Sequence, residues 1–480
     1  MKKSLPKHVS YYLKSAVGFA VMLLFAVLPP IGSITPLGMK ILGIYIGTIL
    51  LWATVDMIWP SLLGMILICL TGYMSFDDYI SSGFGNTTVI FVFLISIFAG
   101  FITSSGVSDN IARYVVSRKI ANGRPWVISS LFVFASYLIA CLISSVAATL
   151  VVLEFFSQFA KQAGYKRGEK YPTLMMVCIT FAAHMGGSVW TFRTPDAILV
   201  GYIKAQGGNV PLIPYFLCSV FIGGGALVLY LLYCKFFSKA DTKPLLNCCA
   251  TIEKVPMTGY QKKLLGCSLI LLALLILESM LPADTAVGKA LGSFGINGIV
   301  TVMLTAMMFF RVKDGSKSFA DIEQGMQSVP WKIFYVIIFN MPMATILNDS
   351  TLGISTTLTS AITALFGAEI NTTLFIFIMT VLMVICTTFI GNVTVCLMFY
   401  NVVSLFAPAL GLSTTLLACI ISLTSNASVI LPGANPQAAI LHARRDWVET
   451  KDVAKYGILQ STAVVATVMI AYTLFLRKVL

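Results

Sequence analysis

Charge is scarce in this sequence. Only 11% of its 480 residues are Asp, Glu, Lys or Arg, and the acidic residues are fewest, 19 against 32 basic ones. With 58% hydrophobic residues and a mean hydropathy of +0.90, there is too little polar surface to cover a soluble domain of this length. The eleven cysteines are odd in number and contain no CxxC pair; Cys248 and Cys249 are adjacent, not spaced for a metal. They read as reduced packing residues. No metal-ligand spacing, nucleophile elbow or paired catalytic carboxylates are present, which argues against an enzyme. Between Ile333 and Ala443 there is neither Lys nor Arg, yet the stretch is rich in Ser, Thr and Asn. An inert apolar anchor has no use for so many hydroxyls and amides.

What remains is a succession of long apolar runs. Their length suits membrane helices and exceeds that of barrel strands. The net charge of +13 resides in short basic loops, a pattern that marks orientation in a membrane rather than nucleic-acid binding. Lys2, Lys3, Lys7 and Lys14 place the N-terminus in the cytoplasm, and no cleavable leader is read there. Spanning helices are expected at about 16–31, 40–58, 60–73, 87–105, 172–203, 211–235, 264–281, 295–311, 332–347, 414–441 and 456–476. The segments 74–86 and 106–125 read as loops, and the basic segment 235–263, with six lysines, as the joint between two halves.

Two runs do not fit single crossings. The run 126–160 has basic loops at both ends, so it reads as a re-entrant hairpin entering from the cytoplasm, with its tip at Ser144-Ser145. The run 371–408 breaks at Gly391-Asn392 and reads as a hairpin entering from outside. The runs 172–203, through Gly186-Gly187 and Thr194-Pro195, and 414–441, through Asn435-Pro436, read as broken helices. The expected fold is therefore an all-α polytopic membrane protein of about eleven spanning helices plus two re-entrant hairpins. A shift of 247 residues carries Gly106 onto Gly353, Ser144 onto Gly391 and Gly164 onto Gly411; a shift of 241 carries Pro195 onto Pro436. This spacing implies two inverted repeats. The expected organisation is 1–39, the N-terminal segment and first helix; 40–236, repeat one; 237–263, a cytoplasmic linker; and 264–480, repeat two, with the C-terminus outside.

The stretch Gly83-Phe-Gly-Asn86 with its following helix, the two hairpin tips and the two broken helices resemble the divalent anion:sodium symporter (DASS) family of the ion transporter superfamily, over most of the chain. The resemblance implies transport of di- or tricarboxylates or sulfate. It implies a homodimer with a fixed scaffold domain and a transport domain that moves as an elevator. It also implies a substrate held between the two tips and the two breaks, flanked by sodium ions. The family has Ser-Asn-Thr at each tip and Thr-Pro-Pro-Asn-like turns in each broken helix. Here the tips read Ser144-Ser145-Val146 and Gly391-Asn392-Val393, with Thr394 next, and the turns read Thr194-Pro195-Asp196-Ala197 and Asn435-Pro436-Gln437-Ala438.

On this reading the substrate contacts are Ser144, Ser145, Val146, Arg193, Thr194, Pro195, Asn392, Val393, Thr394, Asn435 and Pro436. The cation contacts are Ser144, Ser145, Gly391, Asn392 and Ala434, with sodium expected at Asn392 as the coupling ion and no other cofactor. Helix N-termini and hydroxyls offer donors to a desolvated anion. Arg193 is the sharpest single signal, because a charge at mid-membrane is costly and usually functional. It either binds a carboxylate, replaces the first sodium ion, pairs with Asp196, or snorkels to an interface. His184 either carries a coupling proton or is a hydrogen-bonded packing residue. Glu154, whose repeat mate is Asn401, either faces the site or caps a polar contact; Asp56 and Glu278 read as interfacial.

The function expected is secondary active transport of a small anion, sodium-coupled or by exchange, in a cell membrane. Its partners are the anion, membrane lipid and a second copy of the chain, with no nucleic acid. The alternative is a cation/proton antiporter of the same superfamily using Asp196, Glu154 and His184. A scaffold or receptor leaves the broken helices unexplained, and a passive channel does not need two discontinuities converging on one site.

Overall fold

A computed structural model describes residues 7–117, 123–193, 196–246, 255–281, 285–311, 319–357, 360, 371–404 and 412–473. Thr194, Pro195, Gly411, Cys248 and Cys249 lie outside the described residues. The described chain is all-helical and without strands. Ten of its helices are long and apolar enough to cross a membrane. The chain is an integral, multi-pass membrane protein.

These ten helices match eight of the eleven expected crossings and add the first arm of each hairpin, Pro125–Leu142 and Thr372–Phe389. The other three expected crossings are shorter or interrupted: Ile58–Leu70, the pair Lys170–Gly187 and Asp196–Ala205, and the pair Thr414–Ser425 and Pro436–Ala443. Several boundaries differ from those expected. The first helix is Lys7–Val27 rather than 16–31. The helix expected from 295 begins at Ala286 and kinks at Gly295, whose φ of 58° interrupts the ladder where the sequence suggested a start. Two segments expected as loops are short helices. Phe76–Phe84 is capped by Ser75, and Val107–Val116 has a strongly amphipathic pattern that the basic residues around it obscured.

Both expected hairpins are present as helix–turn–helix units. Helix Pro125–Leu142 ends at Ile143 and Ser144, which are extended or irregular, and Ser144 accepts the N–H of Ala147 to start Ser145–Gln162. Helix Thr372–Phe389 ends at extended Ile390 and Gly391, and Asn392–Val403 follows. The broken runs are also present, each interrupted within its expected bounds, but the breaks start at residues other than those expected. Gly186 and Gly187 are still helical, and the first break begins at Ser188. A Cβ at Gly186 would collide with the carbonyl oxygen of Tyr137. The glycine therefore serves close approach of the first hairpin arm, not unwinding. The second break begins at Asn426, well before the Asn435-Pro436 turn, and ends at that turn, where Asn435 caps the half-helix after it through the Ala438 N–H at 2.8 Å.

The packing exchanges partners between the two halves of the sequence. The half-helix Pro436–Ala443 packs against Ser145–Gln162 and Lys170–Gly187, and Asp196–Ala205 packs against Asn392–Val403 and Thr414–Ser425. Each post-break half-helix thus lies along the second arm of the other hairpin. Helices Thr87–Ser104 and Trp331–Asn348 flank this assembly, both touching Asp196–Ala205.

Candidate substrate site

A cavity of about 360 Å³ lies where the two hairpin turns and the two breaks meet. Ser144, Ser145 and Val146 of the first turn line it, with Asn392 and Val393 of the second. Ser188 and Arg193 of the first break, and Asn426 and Pro436 of the second, complete the polar wall. Helix Thr87–Ser104 adds Ser96 and Thr103, and Ser328 and Pro330 close another side. The starts of Ser145–Gln162 and Asn392–Val403 border this volume, so two helix N-termini bring partial positive charge to it.

The two ends of the cavity are built differently. At the second turn, amides form a relay. Asn392 Nδ2 donates to Asn426 Oδ1 at 2.6 Å, and Asn426 Nδ2 donates to Ser188 Oγ at 2.9 Å and to the Ser422 carbonyl at 3.0 Å. At the first turn, Gln437 Nε2 donates to Ser145 Oγ at 2.6 Å, and His184 Nε2 lies 3.0 Å from Asn435 Oδ1. Arg193 stands beside them. Its Nη1 donates to the Ile143 carbonyl and its Nη2 to the Cys141 carbonyl at 3.0 Å, at the C-terminal end of Pro125–Leu142. Three buried polar atoms on cavity-lining side chains have no protein partner: Arg193 Nε, His184 Nδ1 and Gln437 Oε1. Unpaired buried polar atoms are costly, and a ligand that pairs them recovers that cost.

Some expected residues lie elsewhere. Thr394 and Ala434 are buried but do not line the cavity, and Gly391 faces the Met57 side chain. Asn435 acts behind the wall, holding His184 and the Ser428 carbonyl. Arg193 does not pair with Asp196. The ion pairs among the described residues are Lys332–Asp56, Arg444–Glu154 and Lys451–Glu449. The carboxylate of Asp196 is fully buried behind the cavity, where Oδ1 accepts from Tyr215 at 2.9 Å and from Ser422 while Oδ2 has no partner. Two hydroxyls already serve Asp196, and unsatisfied helix-end carbonyls draw Arg193 the other way. Glu154 does not face the site. It binds Arg444 at 2.6 Å with half of its side chain exposed, tying the first hairpin to the end of Pro436–Ala443. Asn401 makes the matching tie inside the protein, accepting from Tyr202 of the other half-helix and donating to Tyr45 at 3.4 Å.

Sequence reasoning missed Asn426, Ser188, Ser422 and Gln437 as parts of the site. Asn426 had a visible signal, an amide inside an uncharged apolar run, but the Asn435-Pro436 turn drew the break to itself.

The family model for citrate transporters, CitMHS, matches residues 48–424. The chain belongs to the citrate transporter family. Among solved structures, this citrate transporter family member is similar to the MtrF protein of Neisseria gonorrhoeae, described among antimetabolite efflux pumps. That match covers 99% of this chain and 96% of that one, with a TM-score of 0.60 and 13% identity. The YdaH transporter of Alcanivorax borkumensis is similar over 82% of this chain and 86% of its own, with a TM-score of 0.57 and 14% identity. At such identities these likenesses show the fold alone. No curated protein matches the chain. As a member of a transporter family, it is a non-enzymatic transport protein for a small-molecule anion.

Proposed function

We propose that this family member is a secondary active transporter of di- and tricarboxylates, citrate foremost, that binds its substrate in the cavity between the two hairpin turns. The observation that carries this reading is that Arg193, His184 and Gln437, each with an unpaired buried polar atom, line the cavity beside two helix N-termini. Arg193 Nε and the N-terminal N–H groups suit carboxylates. The opposite character of the His184 end supports a hydroxy acid. Asn435 Oδ1 already accepts the Ala438 N–H, so it is the acceptor toward His184 Nε2–H, and Nδ1 of the neutral ring is left as an acceptor beside Gln437 Oε1. Either acceptor can take the one proton of a substrate hydroxyl, which citrate carries between its carboxylates.

Alternating access would proceed by movement of the hairpins and broken helices, as one body, against the flanking helices. The partner exchange between half-helices and hairpin arms supports a single body, and the likeness to DASS transporters supports the elevator, the homodimer and the inverted repeats. The amide relay also supports a coupling cation. The oxygens of Asn392, Asn426 and Ser188 are hard ligands suited to an alkali ion, and sodium held there would neutralise part of the substrate charge. The buried Asp196 carboxylate, with no basic partner among the described residues, favours cation or proton coupling as a second reading of the cycle. The N-terminus would lie in the cytoplasm and the C-terminus outside, in a cell membrane.

Uptake of labelled citrate and succinate into proteoliposomes tests the proposal. Sodium is replaced by choline in one series, and unlabelled anion is preloaded in another. Saturable uptake that needs either a sodium gradient or preloaded anion is the expected result. Absence of carboxylate uptake under all conditions overturns it.

A further inference from the structure

The contacts of Arg193 are those of a bound cation rather than of a salt-bridge partner. Both Nη groups reach carbonyl oxygens at the C-terminal end of Pro125–Leu142, where the last carbonyls have no donor within their helix and carry its partial negative charge. No carboxylate of the described residues pairs with the guanidinium. Its Nε is buried without a protein partner, and Arg193 itself lines the cavity. A positive charge that bridges helix-end carbonyls and a substrate anion does the work alkali ions do in broken-helix transporters. Trp190, whose indole donates to Cys141 Sγ at 3.1 Å and stacks on Phe216, walls this place from one side.

The second half of the sequence has no such charge. The shift that aligns Pro195 with Pro436 puts Ala434 opposite Arg193, and the shift that aligns the hairpin turns puts Thr388 and Ile390 opposite Cys141 and Ile143. Ala434 is buried and has only a methyl group to offer. Any positive charge at that end comes from solution.

We infer that the Arg193 guanidinium is a resident cation that stands in for one dissociable coupling ion, so that only the second hairpin draws a cation from solution. This rests on the transporter reading above. It also makes Arg193 a determinant of stoichiometry: the covalent charge travels with the site whether or not substrate is bound.

The test uses the purified full-length protein and the variants Arg193→Ala and Arg193→Gln, the second keeping a donor for the carbonyls without the charge. Melting temperature is measured in choline chloride against titrations of sodium and of guanidinium, with and without citrate. In the parent, citrate stabilises with a sodium dependence of steepness near one. In the variants, apparent citrate affinity in choline falls by about tenfold or more, and sodium or guanidinium restores it. The steepness of sodium dependence rises toward about two, as a second cation is taken up. Variants that bind citrate in choline like the parent overturn the inference. So do folded variants that no cation restores and whose sodium dependence keeps its slope. If neither citrate nor succinate stabilises the parent, the carboxylate reading fails. The cation titration of the variants without anion still decides this inference, because an added cation site stabilises by itself. Should Arg193→Ala fail to elute as a single species, Arg193→Gln carries the same test.

Discussion

The two hairpin turns occupy corresponding places in the chain, yet they are held by different chemistry. At the first, Gln437 donates to Ser145, Arg193 donates to the Ile143 and Cys141 carbonyls, and His184 is held by Asn435. At the second, Asn392, Asn426 and Ser188 hand hydrogen bonds along a neutral relay. One turn has a fixed charge that solvent cannot remove, and the other has dipoles that can reorient around an ion. A site with one permanent and one adaptable end distinguishes its two faces even if the backbone of each half is built alike.

The largest effects should come from attacking this asymmetry directly. Asn426→Ala leaves Asn392 Nδ2 and Ser188 without their partner in a buried place. Uptake is expected to fall about 100-fold, as about 2–3 kcal/mol of unpaired polar cost implies. Gln437→Ala at the first turn removes one hydrogen bond to Ser145, while Arg193 remains, so a loss of about tenfold is expected. Initial uptake rates at fixed surface expression separate the two. Equal losses would mean that both turns depend on side-chain amides and that the contrast drawn above is wrong.

The ties between each half-helix and the opposite hairpin give a smaller, second comparison. Tyr202→Phe breaks a buried bond to Asn401 and should lower stability by about 1–2 kcal/mol, independent of salt. Glu154→Gln breaks a pair whose carboxylate is half exposed, so less than about 1 kcal/mol is expected, vanishing at high ionic strength. Melting curves in low and high salt read both. A Glu154 effect that survived high salt would sharpen the comparison by making that pair a structural tie like Tyr202.

The smallest effect concerns the glycine turns at Gly106 and Gly353, both left-handed. The first is tied by Gln261, which donates to the Ser105 carbonyl at 2.9 Å and cannot titrate. The second follows Asp349, whose carboxylate accepts from Tyr73 and Thr351; these bonds hold its carboxyl below the usual carboxylate range. A depressed folded-state value means that this stabilisation is present above the ordinary carboxylate pKa and is lost as pH falls through the lower, folded one. A slight drop in melting temperature below pH of about 4 is expected in the parent and absent in Asp349→Asn. An identical acid profile for both would remove Asp349 from the account.

Much of this was legible in the sequence alone. Composition dictated a membrane-embedded helical protein, because so little charge cannot cover a soluble one. Hairpin turns at Ser144 and at Gly391-Asn392 followed from apolar runs interrupted by small polar residues. Helix ends were less legible, since Val107–Val116 and Phe76–Phe84 have helical periodicity inside segments whose charges read as loop. The starts of the breaks were misplaced toward Pro and Gly. Proline marks where a helix can start, and Gly186 marks a close approach to Tyr137; neither says where hydrogen bonding stops.

By itself, then, the sequence determined the solvent this chain lives in, the number and order of its apolar helices within a few elements, and the presence of a charge at Arg193 that a membrane does not tolerate without use. Only the tertiary structure decided what that charge touches. Whether Arg193 met Asp196, a helix end or the headgroups depended on which oxygens were left unsatisfied nearby. That is a property of two helices distant in sequence brought side by side. The same reason separates Glu154, which packing leaves half exposed beside Arg444, from Asn426, which packing buries between Asn392 and Ser188.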